Sequence, residues 1–204
     1  FQVQLEIIAF VVIALLVGSF GIVQMAAHQV AINLASLTFM VPLGVGSATA
    51  VRVGQSIGAG DGDGARRAAS AGLMIGGPFM SATAVAFLFA PRLLASAYTS
   101  AEDVLALAVV FIPIAGFFQV FDDLQVVSAG VLRGAGDTRA PMVVNILGFW
   151  LIGFPTSLAL AFPLGLGPEG LWWGVVAGLG SVAVFLLVRV AWRFRGDLAR
   201  IEVD

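Results

Sequence analysis

Along the chain, long apolar runs alternate with short polar connections, and six runs are long enough to cross a bilayer: residues 1–23, 30–51, 68–90, 104–132, 140–163 and 170–192. A spanning helix needs about 20 mostly apolar residues. All six are expected to be helices. Hydrocarbon cannot satisfy the backbone groups of an open strand, and none of the runs alternates apolar with polar residues as a barrel strand does. With their polar ends included, the predicted helices cover about 1–23, 30–58, 66–90, 103–133, 140–163 and 170–193. The expected fold is an all-α membrane protein, a bundle of six transmembrane helices. Pro42, with Gly44 and Gly46, interrupts the second helix, and Pro113, Pro141 and Pro155 interrupt others. Kinks are tolerated where neighbouring helices re-satisfy the freed carbonyls, and they can serve as bending points.

Composition sharpens the picture. The chain is 60% hydrophobic and 11% charged, with a mean hydropathy of +1.04, against roughly 25% charged residues in a soluble domain. No soluble domain remains between the runs. Without cysteine there is no disulfide or thiolate chemistry to consider, and the sparse basic residues leave no footprint for nucleic acid. All 10 basic residues are arginine. Arg52, Arg66, Arg67, Arg133, Arg139, Arg189, Arg193, Arg195 and Arg200 fall on one side of the predicted bundle, and only Arg92 on the other. The positive-inside rule then places both ends of the chain in the cytoplasm, with the bundle in the cell (inner) membrane. Arg189, at a helix end, is expected to snorkel to the headgroups as an anchor. Phe1 already lies in a span, with no basic n-region or small-residue cleavage site, so the start does not read as a signal peptide. The chain is expected to be a fragment. It contains no internal repeat, so if the parent protein is built from repeated halves, the other half is missing here.

Three acids fall inside the apolar runs: Glu6, and the adjacent Asp122 and Asp123 of QVFDDLQVV, residues 119–127. A charged acid at a helix centre costs about 2.5–3.5 kcal/mol on insertion scales, so such groups pair, line a watery cavity or stay neutral. A structural hydrogen bond between helices is the plainer reading, but these average only about 0.6 kcal/mol within membranes. On a helical wheel Ala115, Gly116, Gln119, Asp122, Asp123, Gly130 and Arg133 share one face, which is expected to point inward. Ile114, Phe117, Phe121, Leu124 and Leu132 occupy the opposite one, expected to face lipid. Asp122 lies about 27 Å, and Glu6 about 22 Å, from the outer ends of their spans at 1.5 Å per residue. Two acids from different helices thus reach similar depth, as a cation site or proton relay would require.

The second helix offers Gln29, Asn33 and Ser36 at i, i+4 and i+7, with Met40 next on the stripe. These can bind a ligand or join helices. His28 precedes them near the outer boundary, where a lone histidine reads as an interfacial hydrogen-bonding group. GAGD occurs twice, at Gly58–Asp61 and Gly134–Asp137. Both copies sit beside arginines in connections, so a membrane-depth aspartyl protease dyad is not expected. The run Asp61-Gly-Asp-Gly lacks the remaining ligands and closing glutamate of a calcium loop and reads as a flexible turn. No nucleophile–base pair, P-loop or zinc spacing appears, so the chain is not expected to be an enzyme.

Two longer stretches, AAHQVAINLASLTFMVPLGVGSATAVRVGQSIGAGDGDGARRAA (26–69) and SAGVLRGAGDTRAPMVVN (128–145), resemble the C-terminal half of a multidrug and toxic compound extrusion (MATE) transporter of the NorM type. The resemblance implies a twelve-helix protein in two six-helix lobes, of which 1–204 is the second. Such a protein exports organic cations and drugs across the cytoplasmic membrane by antiport against protons or sodium ions. Carried over, the family's intramembrane glutamate falls on Glu6 and the acid of its tenth helix on Asp122, the ion-coupling pair and a possible sodium site. Asp123 has no counterpart in that pattern. Phe118 stands where some sodium-coupled members have tyrosine, and its ring can offer a cation–π contact. Gln29, Asn33, Ser36, Phe118, Gln119 and Asp123 are the expected substrate-lining residues. No cofactor is expected beyond the coupling ion. The implied partners are the lipid bilayer, small organic cations and the N-terminal lobe of the same chain, with no nucleic acid. Two other readings stand beside this one: a related flippase exporting lipid-linked substrates, and a purely structural or channel-like six-helix protein.

Overall fold

In the computed structural model of the chain, residues 2–196 and 198 are described, with side chains from residue 6 onward. Phe1 and Arg200, assigned above to the first span and the tail, lie outside them. The described residues form helices and contain no strand: α1 (Gln2–Gly18), α2 (Ile22–Gly58), α3 (Gly62–Phe89), α4 (Pro91–Ser96), α5 (Glu102–Gly134), α6 (Arg139–Ile146), a π-helical segment (Leu147–Gly153), α7 (Phe154–Ala161) and α8 (Gly167–Arg193). Five are long and apolar enough to cross a membrane: α2, α3, α5, the composite Arg139–Ala161, and α8. The all-helical, multi-pass architecture is therefore the one the apolar runs predict. The first run is a shorter helix, ending at Gly18 rather than at 23.

The second helix starts at Ile22, not at 30. Gln24, His28 and Gln29 are polar, but polarity alone does not break a helix whose backbone bonds are internal. The break falls instead at Ser19–Phe20–Gly21, where Gly21 adopts φ 141°. Pro42 and Pro113 lie within continuous α2 and α5. Pro141 does not interrupt a helix. It occupies the first turn of α6, where the missing N–H would have had no partner. Pro155 follows a seven-residue π segment rather than kinking a plain helix over 140–163. There the Phe154 N–H donates to the Phe149 carbonyl, five residues back.

Both GAGD motifs are built connectors, and the run Asp61-Gly-Asp-Gly is not a flexible turn but the capped start of α3, with Asp61 at its N-cap. Gly60 (φ 73°) and Gly136 (φ 81°) take the left-handed conformation that terminates a helix at low cost in glycine. In the first copy the Gly60 N–H donates to Ile57 O (3.0 Å) and Asp61 N–H to Ser56 O (2.8 Å); in the second, Gly136 N–H donates to Arg133 O (3.0 Å) and Asp137 N–H to Leu132 O (2.9 Å). This is the Schellman pairing, satisfying carbonyls of the last turn. The aspartate that follows then serves the next helix. Asp61 Oδ1 accepts from Gly64 N–H (2.7 Å), and Asp137 Oδ1 accepts from Ala140 N–H (3.1 Å).

Asp137 also receives Arg189, whose Nε donates to Oδ2 at 2.9 Å and whose Nη2 lies 2.8 Å from the same oxygen, while its guanidinium lies 4.9 Å from the Trp192 ring centre. Arg189 thus fastens α8 to the α5–α6 connection through an ion pair. Arg66 fastens the same end, donating to Phe194 O (3.1 Å) and Gly196 O (3.2 Å).

Helix α5 is the centre of the bundle, packed by α2, α3, α4 and α8. The expected lipid face is only partly so. Phe117 is exposed although its ring lies 5.8 Å from Trp173 of α8, whereas Ile114 and Leu132 are buried. Where α2 crosses α5 the backbones nearly touch: a Cβ on Gly130 would strike the Gly46 carbonyl, and one on Gly134 the Ala50 carbonyl.

Candidate functional site

The successive side chains of a helix point 100° apart, so the two adjacent aspartates of α5 face different neighbours. On one face Phe118, Asp122, Gln125, Val126, Ala129 and Arg133 form a wall at spacings of three and four. Opposite them stand Glu6, Ile7 and Phe10 of α1 and Ile32, Ala35, Ser36, Phe39 and Leu43 of α2. Together they enclose a cavity of about 390 Å³, within the few hundred Å³ typical of small-molecule sites. Its rim is open, since Ile7, Ser36 and Leu43 are exposed.

The polar groups of the cavity are few. Glu6 Oε1 accepts a hydrogen bond from Gln125 Nε2 at 3.3 Å, tying α1 to α5. The other end of that amide, Oε1, is buried without a hydrogen-bond partner. Asp122 is 5% exposed. Ser36 Oγ donates to Ile32 O at 2.7 Å, which leaves the hydroxyl's lone pairs free. Among aromatic groups, Phe118 meets Phe10 edge-on at 5.8 Å and Trp172 at 6.4 Å. The chamber therefore pairs two carboxylates with apolar and aromatic walls, which suits a lipophilic cation or a small inorganic one. The described residues contain no cluster of three or more His, Cys, Asp or Glu side chains.

Of the residues singled out in the sequence, Glu6, Asp122, Phe118 and Ser36 come together here. The others do not. Gln119 and Asp123 are fully buried on the face turned to α3: Thr83 Oγ1 donates to Gln119 Oε1 at 3.0 Å, and Asp123 lies where a Cβ on Gly76 would be. Neither Asp123 oxygen has a hydrogen-bond partner. Gln29 and Asn33 are exposed on α2 outside the cavity, Asn33 Nδ2 donating to Gln29 O at 2.7 Å. His28 is 3% exposed, its ring 5.3 Å from Trp172, and so is a core residue rather than an interfacial one. Sequence reasoning missed Phe10, Phe39 and Gln125. The signal for Gln125 was present, since 118, 122, 125 and 129 repeat at helical spacing. Arg133 was placed on the inward face but counted only as a charge of a connection.

Comparison with known proteins follows the same lines. Residues 1–158 match the MatE family model. The chain is 46% identical over 190 residues to "Multidrug resistance protein NorM" of Burkholderia vietnamiensis, covering 91% of this chain and 40% of that protein. With "Probable multidrug resistance protein NorM" of Rhizobium meliloti (strain 1021) it shares 43% identity over 202 residues, 97% of this chain and 42% of the relative. The chain thus spans about two fifths of these relatives. Among solved structures, the eukaryotic MATE transporter AtDTX14 superposes with a TM-score of 0.78 at 27% identity, over 83% of this chain and 38% of that one. An outward-facing multidrug resistance MATE family transporter of the MOP superfamily does so with a TM-score of 0.85 at 18% identity, over 99% and 44%, a likeness of fold.

Proposed function

Because the chain belongs to the MatE family, a family of transporters, we propose that it is the C-terminal six-helix lobe of a multidrug exporter that exchanges organic cations for protons or sodium ions across the inner membrane. The observation that carries this reading is the single cavity into which α1 and α5 bring Glu6 and Asp122. Removing a carboxylate from water is expensive unless a cation accompanies it. A proton or sodium ion meets that need, and so does an organic cation, which also buries its apolar surface against Phe10, Phe39 and Phe118. The two kinds of cargo then compete for one negative charge. If the lobes rock about the cavity, each cargo stabilises an orientation through its differential contacts, and competition becomes coupling.

Drug efflux by the full-length protein in inside-out vesicles, with and without sodium at fixed pH, tests the reading and identifies the ion. Asp122→Asn is expected to lower cation-driven exchange at least tenfold while the protein still inserts. Undiminished exchange in that variant sinks the proposal.

A further inference from the structure

The cavity wall built by this chain carries three charged groups. Two are the carboxylates, and the third is Arg133. Eleven residues after Asp122, it lies about 20° from three full helical turns, hence on the same face. Helical side chains lean toward the N-terminus, so its stem points back along the chamber. The described ion pairs join Arg66, Arg67, Arg92 and Arg189 to Asp63, Asp61, Glu102 and Asp137. Arg133 is in none of them. A cation in the last turn also favours the helix dipole, but that role needs no place in a cavity wall. With both carboxylates ionised, the wall sums to −1 (−2 from Glu6 and Asp122, +1 from Arg133). Asp123 faces α3 behind this wall and, one residue from Asp122, adds its own negative charge to the field there.

We infer that Arg133 is a specificity-determining residue: its positive charge in this wall disfavours cargo bearing two positive charges more than cargo bearing one. The inference rests on the cation-exchange reading above. A dication meets the repulsion of Arg133 twice and a monocation once, so the arginine penalises the second charge. Gln125, which holds Glu6, is eight residues from Arg133, about 12 Å along the axis. Arg133 is itself exposed, so at an effective dielectric near 20 a unit charge at that range changes affinity by at most about tenfold. A second charge on the ligand feels it again.

The test uses the full-length protein in vesicles, with ethidium efflux competed by tetraphenylphosphonium, a monocation, or methyl viologen, a dication. The readout is the ratio of the two inhibition constants, so any constant background from the opposite wall cancels between wild type and variant. Arg133→Gln is expected to move the ratio roughly three- to tenfold toward the dication, and Arg133→Lys to leave it within about twofold. Arg133→Met, of similar length, replaces the glutamine variant if that one does not reach the membrane. An unchanged ratio in the neutral variant, or an equal shift in the lysine variant, overturns the assignment. Absence of any cation exchange in wild type instead overturns the reading beneath it.

Discussion

At the scale of single residues, Asp122 and Asp123 show how one peptide bond separates two environments. Asp122 borders a cavity with Glu6 across from it. Asp123 is fully buried against the glycine backbone of α3. Two opposite outcomes follow. Where Asp122→Asn is expected to lower exchange at least tenfold, Asp123→Asn should keep it within about threefold, because Asp123 does not line the chamber and the amide keeps the side chain's shape. Efflux measured side by side in both variants checks this. A loss in Asp123→Asn matching that of Asp122→Asn would show that the face toward α3 takes part in exchange.

Among elements, the α2–α5 crossing sets the cavity's width. Gly46, Gly130 and Gly134 let the two backbones meet, and the side chains above the crossing, from Ser36 to Leu43 and from Phe118 to Val126, splay into the chamber. Gly130→Ala is expected to destabilise the protein by about 1–3 kcal/mol, since an overpacked contact against a main-chain carbonyl has no rotamer to relax into. Gly77→Ala, which has open space around it, should be neutral or stabilising by a few tenths of a kcal/mol. Thermal unfolding of the purified variants in detergent separates the two, and equal midpoints would mean the crossing is looser than its geometry. The twin GAGD connectors make the same point. Helix ends here are fixed by glycine at positive φ and a capping aspartate, a pattern that composition alone reads as flexibility.

For the molecule as a whole, the arginines and the helix termini agree on two distinct ends. Arg66 joins α3 to the end of α8, and Arg189 joins α8 to the α5–α6 connection; at the opposite end Phe20 stacks on Phe162 at 5.6 Å. The bias of arginine toward the first end predicts that it faces the cytoplasm. As the chain has no native cysteine, Ala59→Cys and Ser100→Cys can be introduced singly. In intact cells an impermeant thiol reagent should label position 100 and spare position 59. The reverse pattern would invert the topology.

Apolar runs bounded by glycine and charge determined by themselves that this chain folds as a helical, multi-pass protein, because in hydrocarbon a helix is the cheapest way to satisfy the backbone. The cost of isolated acids there also singled out Glu6, Asp122 and Asp123 from the sequence. What only the tertiary structure decided is which neighbour each side chain meets. Periodicity gives an angle around a helix but not what stands at that angle. Packing by α3 thus turned Gln119 and Asp123 into buried seam residues, covering by Trp172 made His28 core, and the open space between α1 and α2 made Gln125 and Arg133 part of the chamber.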